Sequence, residues 1–295
     1  MIKTWSTPVV EEGRREEACE LCGGRDFSAH LRCEGFQYVR CNRCSLVQIN
    51  PQPCEDAVRR RYCGEDYLEY ELANEEAFLT LGLLALRDAG FYQFERGLGG
   101  AERRVLDVGC ATGALLSKLR ERGWRAEGVE INRKQADYAR RVRGLPVYGC
   151  PLEDAALPAG AYLLITASHL IEHLRRPRAF LAEARRLLAP GGRLFLTTPN
   201  IDGFQARLFA GRWRSAIFDH LYLFSVKTLT RLLAEEGFRV ERSVTWGGLA
   251  AGLAPRPVKA ALDGLAKRFG FGDVMLLSCL LPARETPLAE PRSKR

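Results

Sequence analysis

The stretch Ser168-His169-Leu170-Ile171-Glu172-His173 places two of the chain's four histidines around one glutamate. Positions 169, 172 and 173 are spaced i, i+3 and i+4, so the three side chains share a face if the segment turns helically. Several chemistries suit such a trio. H-x-x-E-H on a sustained helix holds zinc for peptide hydrolysis. Imidazoles set beside a carboxylate also work without metal, one as a general base and the others positioning a substrate. In a purely structural role, Glu172 and His173 would brace the start of a helix.

A second constellation is Cys19-Glu20-Leu21-Cys22 with Cys41-Asn42-Arg43-Cys44, two C-x-x-C knuckles separated by 18 residues. Four thiolates at that spacing close a tetrahedral zinc site, and the metal supplies folding energy to a segment too small for its own core. Cys19, Cys22, Cys41 and Cys44 are therefore the expected ligands of a zinc ribbon. Cys33 lies between the knuckles at no ligand spacing. Cys54, Cys63, Cys110, Cys150 and Cys279 follow no pairing pattern.

The third is "VLDVGCATGALL", residues 105–116, an apolar strand running through a glycine turn into a helix. Gly109 and Gly113 allow close backbone approach to a ligand. The fingerprint G-x-G-x-x-G would need glycines at 109, 111 and 114, but Ala111 and Ala114 stand there. A phosphate loop ending in Gly-Lys-Ser/Thr is absent as well.

The elements that must position these residues fall into three regions. Residues 1–50 hold the knuckles and short strand-like pieces, "QYVRC" and "SLVQIN". Residues 51–100 read as an aromatic-rich helical connector or lid. From Arg103, apolar strands alternate with amphipathic helices, which predicts a parallel sheet covered on both faces. The strand candidates are "RRVLDV", "RAEGVE", "PVYG", "YLLITAS", "RLFLTT", "RVERSVTW" and "VMLLSCLL". Helices are predicted at "ALLSKLRERG", "NRKQADYARRV" and "RAFLAEARRLL". Residues 283–295 are expected to be a flexible basic tail.

Composition narrows the classes. Hydrophobic residues make up 46% and charged residues 27% of 295 positions, as in an ordinary globular protein. No apolar run reaches the roughly 20 residues of a membrane span, and the first 20 residues lack a signal-peptide core. A cytoplasmic location is expected, and ten cysteines there suit metal ligation or free thiols better than disulfides. The net charge of +8 comes mainly from scattered arginine pairs, while residues 1–50 carry seven basic and seven acidic side chains. Nucleic acid is therefore a poor expectation as partner.

The pattern D-x-G-x-A-x-G at 107–113 resembles motif I of class I S-adenosylmethionine-dependent methyltransferases. Glu130, closing "GVEIN", "PLED" after the third strand and "LLAPGGRLFLTTPN" at the fifth extend the resemblance in order over residues 101–282. The fold it implies is α/β: a Rossmann-like seven-stranded methyltransferase sheet with a small N-terminal zinc-ribbon module. The resemblance assigns cofactor contacts to Asp107, Gly109, Cys110, Ala111, Gly113, Glu130, Ile131, Glu153, Asp154 and Ser168. Glu130 would accept the ribose hydroxyls, and Glu153 or Asp154 would face the adenine.

The zinc-hydrolase reading then fails on context. The histidine segment follows the strand "YLLITAS", and Pro177 cuts any helix short four residues after His173. It sits where open α/β sheets bind ligands, at a strand's carboxyl end. H-x-x-E-H resembles the E-x-x-E-H segment with which ubiquinone-pathway O-methyltransferases and RNA 3′-terminal 2′-O-methyltransferases hold a divalent metal. His169 replaces the first glutamate, which favours a nitrogen-preferring ion if one binds. His220 in "FDHLYLF" stands where the RNA enzymes add a later histidine. His169, Glu172, His173 and His220 are thus the expected catalytic cluster, either metal-free or holding a second divalent ion.

With the ribbon and connector included, the layout resembles bacterial methyltransferases of sugar, surface-polysaccharide and secondary metabolism. A small acceptor follows, a saccharide or nucleotide sugar among the candidates, shaped by residues 201–224 and 248–271. An RNA 3′ end is the rival acceptor, and a non-catalytic scaffold is the rival class.

Overall fold

Val105, Leu106 and Val108 in β4 (Arg104–Val108) and Leu164, Ile165 and Ala167 in β7 (Tyr162–Ser168) are buried on both faces. Strands of that kind belong in the middle of a parallel sheet, and the computed structural model places them side by side. It describes residues 14–54, 67–99, 102–248 and 255–282. The expected basic tail, residues 55–66 of the connector with Cys63, and residues 249–254 lie outside the described residues.

The main sheet has seven strands in the order β10-β11-β8-β7-β4-β5-β6. β5 (Arg125–Val129), β6 (Val147–Tyr148) and β8 (Leu188–Pro199) run parallel to β4 and β7. β11 (Val274–Leu280) enters antiparallel between β8 and β10 (Arg239–Trp246). Each corresponds to one of the seven strands expected from sequence.

Helices cover the sheet on both faces. α1 (Tyr67–Ala89) and α2 (Phe91–Gly97) form the described part of the connector, and Leu86, Ala89 and Phe91 enter the core beside Val105, Leu116 and Trp124. α3 (Ala114–Glu121) follows the glycine turn. α4 (Arg133–Arg143) is capped by Asn132, whose side chain accepts from the Gln135 amide. α5 (Pro177–Leu187) begins at Pro177, whose missing amide hydrogen costs nothing in a first turn. The C-terminal part adds α6 (Phe204–Phe209), α7 (Val226–Glu235) and α8 (Arg256–Phe269).

The N-terminal module is a second, four-stranded sheet in the order β1-β2-β3-β9. β1 (Phe27–Cys33), β2 (Phe36–Cys41) and β3 (Val47–Ile49) come from the cysteine region, but β9 (Tyr222–Leu223) comes from the segment after the fifth strand of the main sheet. Neither β1 nor β9 was expected from sequence. The module does not own a separate core. Leu31, Tyr38, Val47 and Ile49 share one cluster with Ile201, Ala206, Trp213, Ala216 and Leu223. Cys19, Leu21, Cys41 and Leu46 join the core under the main sheet.

Arg178, at the start of α5, fastens the first knuckle. Its guanidinium donates to the carbonyls of Glu20 (3.1 Å) and Leu21 (2.7 Å) and to Glu235 and Glu236. A planar fork of donors suits four acceptors from two chain segments.

Candidate active site

The turn from β4 into α3 holds three residues with positive φ: Gly109 (76°), Ala111 (48°) and Gly113 (78°). A Cβ on Gly109 would meet only the end of Leu170, at 3.5 Å. The glycine loop and the histidine segment are therefore neighbours. A Cβ on Gly113 would come within 2.6 Å of the Leu145 side chain, so that glycine also lets α3 sit close to the end of α4. Gly128 plays the same part in β5, where a Cβ would lie 2.5 Å from the Cys110 sulfur. The Cys110 side chain is thus buried between loop and strand.

Glu130 ends β5 beside this loop. One carboxyl oxygen accepts from the Ala111 amide (3.0 Å), the other from the Asn132 amide (2.8 Å). Burial raises its pKa in spite of those bonds. Each carboxylate oxygen has a second lone pair, so Glu130 keeps acceptor capacity. Asp107 is buried below, its Oδ1 accepting from Thr166 (2.6 Å); burial, aided by the field of Glu130, raises it to about 7. Glu71 of α1 is likewise raised to about 7 by burial and by Glu130 and Glu75. Glu75 accepts from Thr112 of the loop (2.6 Å) and from Arg143 of α4 (2.5 Å), which draws α1 over the loop.

S-adenosylmethionine fits this site on its chemistry. Burial raises three carboxyl groups here, and Glu130 raises Asp107 and Glu71 further; a ligand with a positive centre and hydroxyl donors relieves them. Ile131, 42% exposed next to buried Glu130, offers an apolar surface at the rim. Glu153 and Asp154 lie exposed on a single 3-10 turn after β6. Ser168, at the end of β7, shares a hydrogen bond with Thr197 (2.6 Å).

Beyond Ser168 the chain does not enter a helix. The His169 amide still donates to Thr197 O (2.9 Å), which keeps it in the β7–β8 ladder, and its φ of 49° then turns the chain. One turn closes from His173 N to Leu170 O (3.0 Å) before Pro177 begins α5. The expected helical face is thus replaced by a strand end and a turn, yet the side chains still meet. Glu172 is 0% exposed. Its Oε1 lies 3.2 Å from His169 Nδ1, and its Oε2 accepts from Thr198 Oγ1 (2.8 Å). Burial opposes its charge, but the His169 hydrogen bond and the fields of His173 and His220 outweigh that and hold it at about 2.

His220 arrives from the segment after β8, and its ring stands edge-on to that of His173 at 4.6 Å between centroids. Each histidine gives its Nδ1 to a backbone carbonyl, His173 to Asp219 O (2.9 Å) and His220 to Ser215 O (2.8 Å). A carbonyl only accepts, so Nδ1 carries a hydrogen in both. Burial, reinforced by His173, lowers His220 to about 3 and keeps it neutral. Glu172, His173 and His220 bring one donor atom each within 4.8 Å of one another, a group able to hold a cation. His169 stands outside that trio, with 44% of its side chain exposed.

The cysteine knuckles form the second donor set. Cys19, Cys22, Cys41 and Cys44 are all free thiols with sulfurs within 4.8 Å of one another. The close pairs are Cys19–Cys44 at 3.3 Å and Cys22–Cys41 at 3.5 Å. Sulfurs bound ~2.3 Å from a tetrahedral zinc stand roughly 3.8 Å apart, so the set fits that ion. Gly23 (φ 69°) and Ser45 (φ 68°) each follow the second cysteine of a knuckle in the same left-handed turn. Sequence had not singled out Tyr38, Glu71, Thr166 or Thr198, all of which reach the site from other elements. The acid Glu71 lay in a helix with no motif of its own.

Residues 76–243 match the family described as a methyltransferase domain. The ubiquinone biosynthesis O-methyltransferase of Aromatoleum aromaticum is 33% identical over 122 residues, which cover 39% of this chain. The chain thus spans about half, 52%, of that relative's length. Two solved structures share the fold. A SAM-dependent methyltransferase of Thermotoga maritima aligns with a TM-score of 0.53 at 20% identity, covering 76% of this chain and 98% of that one. The geranyl diphosphate C-methyltransferase of Streptomyces coelicolor, solved with Mg2+, geranyl diphosphate and S-adenosyl-L-homocysteine, aligns at 0.52 and 18% identity, covering 77% and 97%.

Two outcomes follow from this geometry. Freshly purified protein is expected to contain one zinc, and Cys41→Ser none, by elemental analysis; a disulfide between the knuckles would contradict the site. Stability is expected to fall as pH drops. The unfolded chain protonates its histidine near 6.5 and its glutamate near 4.3, whereas folded His220 and Glu172 resist protonation until about 3 and about 2. Their contributions are complete above those unfolded values and shrink on acidification. Melting temperatures recorded from pH 7 to pH 4 should therefore decline less steeply for His220→Asn than for the parent.

Proposed function

The chain belongs to the methyltransferase-domain family, and from that membership we propose that it transfers a methyl group from S-adenosylmethionine to a hydroxyl of a small acceptor. The observation that carries this reading is the junction of the glycine loop with a histidine held by a fully buried carboxylate. S-adenosylmethionine supplies an electrophilic methyl group on a sulfonium. Asp107, the 109–113 loop, Glu130 and Ile131 would hold it, Glu130 through the ribose hydroxyls. Ser168 and the acids Glu153 and Asp154 complete the rim.

The protein's own contribution begins with Glu172. Its charge fixes hydrogen on His169 Nδ1, which leaves His169 Nε2 as the exposed acceptor for the substrate's proton. Beside it, His173 and the neutral His220 orient the acceptor. Positioning in such a site is worth about 7–11 kcal/mol, and proton removal adds a factor of about 10²–10⁴. Residues 201–224 supply the acceptor side of the pocket. The acceptor we favour is a saccharide or nucleotide-sugar hydroxyl; a phenol is the alternative suggested by the ubiquinone-pathway relative. Equal numbers of basic and acidic residues in the first 50 positions disfavour RNA.

A second reading has its own support, the convergence of donor atoms from Glu172, His173 and His220. A divalent ion there would bind the acceptor oxygen in place of the histidine nitrogens.

Transfer of labelled methyl to nucleotide sugars, phenols and RNA tests the proposal. His169→Asn is expected to lower turnover by about 10²–10⁴ with unchanged S-adenosylmethionine binding, and a chelator mild enough to spare the thiolate zinc should leave the parent unaffected. Activity lost to that chelator and restored by a divalent ion would establish the second reading. Glu130→Ala removes the charged ribose acceptor and should weaken calorimetric S-adenosylmethionine binding by more than about tenfold. Unchanged affinity would overturn the cofactor assignment, and no binding by the parent would leave a scaffold.

A further inference from the structure

His220 owes its place to the N-terminal module. The turn that carries it closes from His220 N to Ile217 O (3.1 Å), and both carbonyls of that turn point at one hydroxyl from another part of the chain. Tyr38 of β2, 0% exposed, has its oxygen 2.8 Å from Ile217 O and 2.9 Å from His220 O. A phenol has one hydrogen to give, so the two carbonyls share it in a three-centre bond. Burial keeps the phenol protonated, with a pKa raised well above its ordinary value. On the far side of His220, Leu221 O accepts from Ile49 N (2.9 Å), and Tyr222 and Leu223 pair with Gln48 and Val47. The Tyr222 amide donates to Glu172 O (3.2 Å). The backbone is therefore gripped by the module before and after His220. The same segment supplies Ser215 O and Asp219 O, which fix the His220 and His173 rings.

We propose that Tyr38 is a positioning residue for the His173–His220 pair, and that the thiolate-stapled module forms one wall of the active site through it. Cys41 ends the strand that carries Tyr38, three residues or about 10 Å further along. The path runs from the four-cysteine site along β2, through the Tyr38 hydroxyl, to the carbonyls of the histidine turn. Beside Tyr38, Phe36 packs edge-on against its ring (5.6 Å) and against Phe218 (5.7 Å), so the contact continues as apolar packing. The proposal rests on the methyl-transfer reading for its kinetic consequence, while its geometric part stands apart from it.

Tyr38→Phe keeps the ring and deletes only the hydroxyl. With four histidines in the chain, nitrogen-labelled protein gives few imidazole signals, and His220→Asn identifies the one from His220. In Tyr38→Phe the His220 and His173 signals are expected to shift while those of His30 and His169 stay. The zinc content should remain that of the parent. Turnover should fall roughly 3- to 10-fold at unchanged S-adenosylmethionine affinity, and that fall should vanish in the His220→Asn background. Unmoved His220 and His173 signals would overturn the proposal, as would a turnover loss of the same size with and without His220. A parent that binds no S-adenosylmethionine would overturn the methyl-transfer reading instead, and the imidazole signals would still decide the role of Tyr38. If Tyr38→Phe does not fold, Phe36→Leu, which loosens the same ring, should shift those two signals; no shift there counts against the proposal.

Discussion

A carboxylate with no solvent exposure must have its charge compensated inside the protein, and Glu172 achieves this by gathering three separate parts of the chain. Its own turn brings His169, β8 brings Thr198, and the segment after β8 brings the His220 ring and a backbone bond from the Tyr222 amide. Removing any partner from a buried ion costs more than an ordinary hydrogen bond, because the ion stays behind uncompensated. The surroundings of Glu172 are therefore held to one arrangement. That arrangement keeps the buried His220 neutral, the state required of a proton acceptor or a metal ligand.

The cofactor side of the cleft follows a different electrostatic plan. Burial pushes Asp107, Glu130 and Glu71 toward protonation, the charge of Glu130 adds to this for the other two, and backbone amides and Thr166 relieve only part of it. Folding has concentrated negative potential where β4 and β5 end, at some cost in stability. A cationic ligand with hydroxyl donors recovers that cost on binding, which favours occupancy of the loop by such a ligand over a neutral one. The Glu75 link between α1 and the loop places the connector in the same electrostatic unit.

The thiolate module connects these two halves to the rest of the molecule. A segment of about 50 residues cannot bury enough apolar surface to stand alone. Here the module shares side chains with residues 201–223, and a zinc held by its four cysteines would supply the rest. Arg178 adds polar anchoring at the first knuckle. A module joined this closely cannot tilt without moving the His220 turn.

Local signals in the chain settled a good deal. All seven strands of the main sheet were legible, the central ones because strands buried on both faces read as continuous apolar runs. Ligand spacing in the cysteine knuckles and the glycines at 109 and 113 were equally local. What sequence left open was which distant groups meet. β9 has two residues and pairs with a strand about 175 positions away, so no periodicity announces it. The Tyr38 hydroxyl spans 182 positions to reach His220 O, and nothing near Tyr38 hints at that partner. His169, Glu172 and His173 suggested one helical face, but the β7–β8 ladder extends through His169 and sends it to the opposite oxygen of Glu172 from Thr198. Composition and spacing determined the chemistry on offer. Tertiary packing decided which imidazole is exposed, that His220 is buried and neutral, and what holds each ring, because burial and long-range hydrogen bonds exist only once the sheets have assembled.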